Sequence, residues 1–407
     1  MVIYMKQRTK LNVAVIGCGE FARSFVPLFL AHPDVACVRV CDLVAERANA
    51  YADRFGVDII PSFEDALNDP AVNAVALFTQ RHLHGPMAVQ ALLAGKHVYS
   101  AVPMASTPDE CKAIIDAVNT SHKIYMMGVT CIYYPCAMYC KQEYERGTFG
   151  KFVYGEAQYF HDLSHFPRDY REDRMYSAAL PPFFYPTHST SMLLWATGAH
   201  ATRVTAFGYC DTEENTPFAI GENAYDNEFS DEFSMMQLSN GGVARICECR
   251  RIGYKAPSSF ISGFYGTQGS YQFNNAQHLV TRLTASGVDL TDVSAEVNPA
   301  AMTENQGTED FKHRVANHTW QWNSHAPIQS EDVSRLPAAY DGVANGHMAS
   351  HQFLIDDFCC AAATDTLPRV HAWLAARFTI PGLIAHESAK LGGVPLDIPD
   401  YGDAPHW

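Results

Sequence analysis

Residues 11–23 read LNVAVIGCGEFAR, an apolar run followed directly by a glycine-rich turn. The spacing Gly17-x-Gly19-x-x-Ala22 is typical of the turn between the first strand and the first helix of a dinucleotide-binding fold. Glycine is needed there because the chain turns sharply and its backbone approaches a pyrophosphate, and a small Ala22 lets helix and strand pack closely. The motif is a weak signal by itself, so its context decides.

The next segments support a nucleotide site. VACVRVCD ends at Asp42, about twenty residues beyond the glycines, where a carboxylate accepts both hydroxyls of an adenosine ribose and repels a 2′-phosphate. We therefore predict NAD rather than NADP, the alternative being a glycine turn without a ligand. TQRHLHG then places Thr79 and His84 after the fourth strand, on the expected nicotinamide side. The alternative for His84 is an ordinary polar residue of a first helical turn.

The alternation of apolar runs and amphipathic segments predicts the fold class. The first third, including a helix through EFARSFVPLFLA, follows the βαβ pattern of an N-terminal Rossmann domain with a doubly wound parallel sheet, at 1–130. Longer alternating strands follow, so 131–407 is predicted as an α+β domain on an open, mostly antiparallel sheet, which binds substrate and mediates oligomerisation. Residues 285–345 are predicted as an irregular excursion, and two late helices finish the chain.

Composition limits the partners and the compartment. The net charge of −15 over 407 residues leaves no broad basic surface, which argues against nucleic acid and anionic membrane as partners. The first ten residues are too polar for a signal peptide and no apolar stretch of about eighteen residues occurs, so we predict a cytoplasmic protein without a membrane span. The twelve cysteines are scattered without a CxxC pair, which favours buried reduced thiols over a zinc site.

A pair of histidines at the entrance of the first late helix allows two interpretations. His347 and His351 are four residues apart at a helix entrance and therefore lie on one helical face. They suit a metal pair, but no third ligand stands at a suitable spacing, so we predict no metal. They are interpreted as substrate-side or structural histidines, and His351 is a candidate substrate residue.

The stretch HVYSAVPMA, residues 97–105, lacks a catalytic group where one is expected. It follows a helix and is predicted as a short buried strand that ends at the carboxyl edge of the sheet, where ligands bind in α/β folds. The residues at that edge are Ala101, Val102 and Pro103. None of their side chains can transfer a proton.

Taken together, several motifs resemble the Gfo/Idh/MocA superfamily of nicotinamide-dependent sugar enzymes over nearly the whole chain. They are VIGCGEFA, TQRHLH, ALLAGKHV, FYGTQGS and the spacing from His188 to Trp195 in HSTSMLLWATG. In ordinary dehydrogenases of this kind, AGKHV leads into a Glu-Lys-Pro tripeptide whose lysine acts as acid or base. Here Val102 replaces that lysine, and Phe184 replaces the aspartate four residues before the catalytic histidine. The resemblance implies cofactor contacts from Gly17, Gly19, Glu20, Phe21, Asp42, Thr79, His84, Ala101, Val102 and Thr130.

A narrower branch, the NAD-dependent glycosidases exemplified by α-N-acetylgalactosaminidases, is similar in two further motifs. These are Tyr159-Phe160-His161-Asp162-Leu163 and Tyr185-Pro186-Thr187-His188. This branch also commonly lacks the lysine. The resemblance implies His188 and Tyr185 as the base group at the oxidised hydroxyl, with Tyr159 and His161, on one face of a strand, as a second acid/base pair. Departures from the branch fall on Val129, Thr130 and Ser164.

The implied reaction is glycoside hydrolysis through transient oxidation at C3, elimination across C2 and C1, and water addition, with NAD⁺ recycled. The alternatives are a sugar dehydrogenase that yields a keto-sugar with His188 as its base, and a non-catalytic NAD-binding protein. The expected partner is a small sugar or glycoside, which Arg174 from the arginine cluster HFPRDYREDRMYS is placed to bind. A solvated charge cluster is the alternative for these arginines. Similar proteins imply a homo-oligomer, a dimer or a tetramer.

Overall fold

The structure, a computed structural model, describes residues 8–162, 179–213, 216–253, 258–274, 277–297, 333–347 and 350–405. The chain forms two compact units. The first holds Met1–Val129, Val333–Ala376 and Tyr401–Trp407, and the second holds Thr130–Asp332 and Arg377–Asp400. The domain boundary at residue 130 stays a prediction. The two units alternate along the chain, because Val333–Ala376 and Tyr401–Trp407 also belong to the first unit. A single boundary in the sequence does not describe this arrangement.

The first unit is built on a parallel sheet with the order β3-β2-β1-β4-β5-β6. Its strands are β1 Leu11–Ile16, β2 Val35–Cys41, β3 Asp58–Ile59, β4 Ala74–Leu77, β5 His97–Ser100 and β6 Tyr125–Met127. The helices between them are α1 Val26–Ala31, α2 Ala45–Phe55, α3 Phe63–Asn68, α4 His84–Leu93 and α5 Pro108–Ser121. The strand order reverses between β1 and β4, the point where doubly wound sheets bind ligands. The predicted Rossmann fold is confirmed.

Local sequence explains how these helices begin and end. The hydroxyl of Ser62 accepts a hydrogen bond from Asp65 N and caps α3, and that of Thr107 accepts from Glu110 N and caps α5. The prediction of one continuous helix through EFARSFVPLFLA is wrong. A 3-10 turn at Ala22–Ser24 precedes a short α1, which carries Pro27 in its first turn, where the missing N–H costs nothing.

The second unit is built on a nine-stranded sheet with the order β14-β13-β12-β11-β7-β10-β9-β8-β15. Its strands are β7 Phe152–Phe160, β8 Ala201–Cys210, β9 Phe229–Leu238, β10 Val243–Cys249, β11 Ser258–Gly266, β12 Gly269–Phe273, β13 His278–Thr284, β14 Gly287–Asp292 and β15 Leu396–Asp397. β7 and β10 run parallel, and the other pairings described within this sheet are antiparallel. The predicted mostly antiparallel sheet is confirmed.

Helices of the second unit cover the central strands of this sheet. They are α6 Pro135–Glu145, α7 Thr187–Thr197 and the short α8 Ser294–Val297, with 3-10 helices at Thr130–Tyr133 and Pro182–Phe184. α7 packs on β7, β10 and β11, and nearly all of its side chains are buried. The next helix along the chain, α9 Ser350–Thr364, belongs to the first unit, and α10 Ala372–Lys390 runs from the first unit into the second.

The structure differs from the expectation that residues 285–345 form an irregular excursion. Residues 285–345 are not wholly irregular, because 287–292 form strand β14 beside β13, and residues 298–332 lie outside the described ranges. The apolar Val288 and Leu290 alternate with polar residues, but all six residues of β14 are exposed because it is an edge strand without a buried face. Within the described ranges, no helix is both long and apolar enough to cross a bilayer.

Candidate cofactor and catalytic sites

The glycine turn after β1 has the geometry that a close backbone approach requires. Gly17 has a φ of 97°, and a Cβ on it would lie 2.5 Å from the carbonyl oxygen of Phe78. A side chain is therefore excluded at this position for two reasons. A Cβ on Gly19, in contrast, would meet nothing within 4 Å. The space beside Gly19 is open, as a bound pyrophosphate requires.

Asp42 stands directly beside this turn. One carboxylate oxygen accepts a hydrogen bond from Cys18 N at 2.7 Å, and the other accepts from Val44 N at 2.8 Å. A carboxylate offers about four acceptor positions, so two further hydrogen bonds to ribose hydroxyls are available. The hydroxyl of Tyr51 donates to Gly19 O and holds the turn from its other side.

The residues after the second glycine face different surroundings. Glu20 is exposed and pairs with Arg23, whereas the ring of Phe21 contacts those of Phe25 and Phe78. His351 also lies here, in the first unit, with its ring stacked at 4.1 Å on Phe25 and only 1% of it exposed. Burial lowers the pKa of His351, so its imidazole is neutral. Its role at the substrate stays a prediction.

His84 joins the ends of β4 and β5. Its Nδ1 lies 2.8 Å from Pro103 O and its Nε2 lies 3.2 Å from Thr79 O. Burial lowers the pKa of His84 to about 4, so the neutral ring donates to one of these two carbonyls. Ala101 and Val102, between the two points that His84 joins, are each 7% exposed. His84 thus holds the loop in which the lysine is missing.

Thr79 provides an independent sign of a ligand site at the end of β4. Its Oγ1 is buried and has no hydrogen-bond partner within the part of the chain that the structure describes. Buried hydroxyls are normally hydrogen-bonded, so this oxygen suits a group that a ligand supplies. Together with the glycine turn and Asp42, it fits a bound dinucleotide on the first unit.

In the second unit, four ring side chains form a cluster. The ring of His188 stacks on Tyr159 and on Tyr185, with centroid distances of 4.6 Å in both pairs. The hydroxyl of Tyr159 lies 3.0 Å from Nδ1 of His161. Tyr159 is near the end of β7 and His161 directly follows that strand, while Tyr185 and His188 lie around the start of α7. The structure thus brings together all four residues that the sequence singles out.

Beside Tyr159 lies a buried, hydrogen-bonded pair, Arg250 and Glu248, that sequence reasoning missed. The guanidinium carbon of Arg250 is 4.9 Å from the centre of the Tyr159 ring, and Nη2 of Arg250 donates to Glu248 Oε2 at 3.0 Å. Burial raises the pKa of Glu248 to about 8, with Arg250 and Ser189 opposing the shift. Burial also raises the pKa of Tyr159, and Arg250 again opposes it. The sequence carries one sign of this pair: Glu248 and Arg250 are charged residues at alternate positions in ICECRR, at the end of a mostly apolar strand.

Two further predicted site residues are placed differently. Thr130 opens the second unit, is buried, and has its Oγ1 3.3 Å from the hydroxyl of Tyr134. Its contact with a cofactor stays a prediction. Arg174 and the other arginines of its cluster lie outside the described residues.

Comparison with known families agrees with the first of these two sites. Residues 11–129 match the family described as "Oxidoreductase family, NAD-binding Rossmann fold", GFO_IDH_MocA. This part of the chain belongs to the Gfo/Idh/MocA family. The cofactor of this Gfo/Idh/MocA domain is NAD, as the sequence predicts, and Gly17, Gly19, Asp42 and Thr79 are the residues whose geometry suits it.

Proteins similar to this chain carry two kinds of name. A "Glycosyl hydrolase family 109 protein" from Streptomyces filamentosus is 24% identical over 97% of this chain and 78% of its own. A "Levoglucosan dehydrogenase" from Pseudarthrobacter phenanthrenivorans is 25% identical over 65% of this chain and 73% of its own. The solved structure of a levoglucosan dehydrogenase with NADH and levoglucosan covers 96% of this chain and all of its own, at 21% identity and a TM-score of 0.73. That likeness establishes the fold.

A group of possible metal ligands occurs in the first unit. His32, Asp356 and Cys360 offer ligand atoms within 4.8 Å of one another. Arg335 donates to Asp356 at 2.7 Å and Arg8 donates to the Cys360 sulfur at 3.2 Å. Two guanidinium groups therefore already supply the positive charge, which favours an ion-pair network over a cation site.

Proposed function

We propose that the protein is an NAD⁺-dependent glycoside hydrolase that acts by transient oxidation, elimination and water addition. The observation that carries this proposal is the cluster of Tyr159, His161, Tyr185 and His188, because it offers two separate proton-transferring pairs in one place. A dehydrogenase requires only one base. The similarity to a glycosyl hydrolase family 109 protein over nearly the whole chain supports the same conclusion.

The first proton transfer is assigned to His188 with Tyr185. The C3 hydroxyl loses its proton to His188 while the hydrogen on C3 leaves as hydride, so no charge accumulates on the sugar oxygen. The His188 ring stacks on the rings of both Tyr185 and Tyr159, and these contacts fix its plane. Bound NAD⁺ supplies a reversible hydride acceptor and ends unchanged.

The second proton transfer is assigned to Tyr159 with His161. The C3 ketone acidifies the proton on C2. Tyr159 accepts this proton while its own hydroxyl proton passes to His161, the bond from C1 to the aglycone oxygen breaks, and the pair delivers one proton to that oxygen. Water then adds its oxygen at C1 and gives up a proton to the pair, which returns one to C2, and the C3 alcohol is restored when the hydride and the proton held by His188 return. The 3.0 Å contact from the Tyr159 hydroxyl to His161 Nδ1 gives this proton a path to a half-buried imidazole.

The test combines three measurements on the same protein with a panel of aryl glycosides. We expect aglycone release, deuterium entry at C2 from heavy water, and no net accumulation of NADH. Release without exchange at C2 would contradict the elimination route. No turnover of any kind across a broad panel, with NAD bound, would favour the non-catalytic NAD-binding protein.

The second candidate function is an NAD-dependent sugar dehydrogenase that produces a keto-sugar. It is favoured by the similarity to a protein named levoglucosan dehydrogenase. His188 alone would then be the base, and Tyr159 and His161 would only bind the sugar. Stoichiometric NADH with no exchange at C2 is the outcome that selects this function.

We further propose that the protein forms homo-oligomers through the outer face of its nine-stranded sheet. Phe207 and Tyr209 on β8 and Phe233 and Met235 on β9 are exposed there, and Phe207 is directly opposite Phe233 in the antiparallel pair. A cluster of exposed large apolar side chains is typical of a surface that a partner covers. Light scattering should show a dimer or tetramer, and Phe207→Glu with Phe233→Lys should shift the mass to that of one chain.

A cytoplasmic location also stays a proposal. All twelve cysteines are free thiols, and most of them are buried. Free thiols are usual in reducing compartments. Fractionation of cells that express the native gene is the test, and recovery of the protein outside the cytoplasm would contradict the proposal.

A further inference from the structure

The segment that carries Tyr185 and His188 is held by hydrogen bonds to two glutamates of the nine-stranded sheet. Glu232 on β9 accepts a hydrogen bond from Phe183 N at 2.7 Å, just before Tyr185. Glu248 on β10 accepts a hydrogen bond from the hydroxyl of Ser189, just after His188. Both glutamates have no exposed surface. The two ends of this segment are therefore each tied to a fully buried carboxyl group.

The register of the sheet places these glutamates in line with Tyr159. Glu248 is opposite Glu232 in the antiparallel pair β10–β9 and opposite Tyr159 in the parallel pair β10–β7. All three side chains are on the face that α7 covers. A polar row on an otherwise apolar sheet face is costly to bury, so it needs internal partners.

Each glutamate has a basic partner. His386 Nδ1 lies 2.8 Å from Glu232 Oε1, and Arg250 Nη2 lies 3.0 Å from Glu248 Oε2. Arg250 also donates to Pro182 O at 3.4 Å and to Cys249 O at 3.2 Å, while its guanidinium covers the Tyr159 ring. Arg250, which is 4% exposed, thus contacts both β7 and the start of the His188 segment.

We propose that Arg250, Glu248 and Ser189 form a buried chain that positions the rings of Tyr159 and His188 against each other. Arg250 holds Tyr159 through the face of its ring, Glu248 joins Arg250 to Ser189, and Ser189 is the neighbour of His188 on α7. Arg250 and Glu248 are positioning residues, because they touch the proton-transferring rings or their neighbours and not the sugar. This inference rests on the proposed function, which assigns proton transfer to those rings.

The experiment compares Arg250→Met, Arg250→Lys and Ser189→Ala with the control Arg245→Met. Arg245 is on β10, five residues before Arg250, and pairs with Glu156 at 2.8 Å, so the control removes an arginine and a salt bridge without touching Tyr159. We expect Arg250→Met to lower kcat by about 100-fold, because a misplacement on the order of 1 Å has that effect, with KM changed less than about threefold. Arg250→Lys should recover part of kcat, and Arg245→Met should resemble the wild type.

A second measurement does not depend on activity. The ring protons of His188, assigned by comparison with His188→Asn, should be shifted upfield by the stacked tyrosine rings. We expect Arg250→Met and Ser189→Ala to reduce this shift while NAD still binds, and Arg245→Met to leave it unchanged. An unchanged shift in both variants overturns the inference, as does a fall in kcat no larger than that of the control.

The two measurements separate the inference from the proposed function. If the wild type hydrolyses no glycoside but the His188 signal moves in the variants, the positioning chain stands and the assigned reaction fails. If the wild type is active and neither kcat nor the signal responds, the reaction stands and the positioning chain fails. Should Arg250→Met not fold, Arg250→Lys and Ser189→Ala carry the same comparison.

Discussion

The rings of Tyr159 and His188 stack with their centroids 4.6 Å apart and their planes inclined by 28°. The two residues come from β7 and α7, and their contact joins the two motifs, YFHDL and YPTH, that the sequence singles out. A stacked pair of this kind keeps both rings in one orientation. The proposed reaction requires this fixed orientation, since one proton leaves the oxygen on C3 and the other leaves the adjacent C2 of the same sugar ring.

Replacing His188 by Asn should abolish both aglycone release and NADH formation, because Asn keeps a polar side chain but cannot accept the hydroxyl proton. A loss of about 100-fold or more is expected, within the usual contribution of general base catalysis. NAD affinity should stay within about threefold of the wild type, because His188 belongs to the second unit. His200→Asn, a partly exposed histidine of the same unit, is the control. Full activity in His188→Asn contradicts the assignment.

The two glycines of the turn after β1 should respond differently to Ala. Gly17→Ala should lower both stability, by about 1–3 kcal/mol, and NAD affinity, because φ is 97° and the added Cβ meets Phe78 O. Gly19→Ala should leave the melting temperature unchanged and still weaken NAD binding at least tenfold, because its Cβ enters open space at the expected pyrophosphate. Calorimetric titration and thermal melting separate the two effects. Unchanged NAD affinity in Gly19→Ala would place the pyrophosphate elsewhere.

Asp42→Asn should reduce the preference for NAD over NADP. The neutral amide no longer repels a 2′-phosphate, although its oxygen can still accept one of the backbone hydrogen bonds made by Asp42. We expect NAD affinity to fall about tenfold and NADP affinity to fall less or to rise. Asp53→Asn, on the exposed side of α2, is the matched control for a lost carboxylate. Equal losses for both cofactors would show that Asp42 only holds the turn.

Val102→Ala should leave the hydrolytic rate within about threefold of the wild type. The side chain of Val102 is apolar and cannot transfer a proton, so its loss removes packing and no chemistry. Stability should fall by about 1–2 kcal/mol, in the range for a small buried truncation. A drop of about 100-fold in rate with NAD still bound would mean that this position contributes to the chemical step after all.

Stability should depend on pH through Glu248. The free carboxyl ionises near 4.5 and the folded one near 8, so between these values the native state retains a proton that the unfolded state loses. The contribution of this group is therefore complete below pH 4.5 and is lost as the pH rises through 8. Glu248→Gln should flatten that part of the curve, by at most about 1.4 kcal/mol per pH unit. Urea unfolding from pH 5 to pH 9 measures both slopes, and parallel curves would show that Glu248 is ionised in the folded protein.

Much of the fold follows from local sequence. Strands β1, β2 and β4 are short apolar runs, the glycine turn and Asp42 have fixed spacing, and the predicted strand at residues 201–210 is strand β8. The four ring residues could also be found, because each motif is contiguous in the chain. Periodicity does not report what lies between such segments, however. Periodicity therefore does not predict the break between the 3-10 turn and the short α1, or the edge strand β14.

The buried contacts among Arg250, Glu248 and Ser189 could not be predicted from the sequence, for a different reason. Arg250 and Glu248 are distant in sequence from Ser189. Their contacts depend on a strand register that pairs Glu248 with both Tyr159 and Glu232. A charged residue in a strand is usually interpreted as facing solvent, because burying it is costly. Only the three-dimensional arrangement shows that Arg250 and Glu248 face inward and are joined by a hydrogen bond. The compact grouping of 333–376 with the first unit is equally nonlocal.

Because Val333–Ala376 belongs to the first unit, the gene cannot be divided into domain fragments at a single position. Phe358 on α9 packs against Phe29 and Tyr99, with ring distances of 6.3 and 5.7 Å, and Thr9 N donates to Ala363 O. A fragment cloned as residues 1–130 would expose those aromatic rings and lose a covering helix. Modular exchange of the nucleotide-binding half between relatives therefore requires two junctions, and a single crossover would join a sheet to a helix that evolved against another surface.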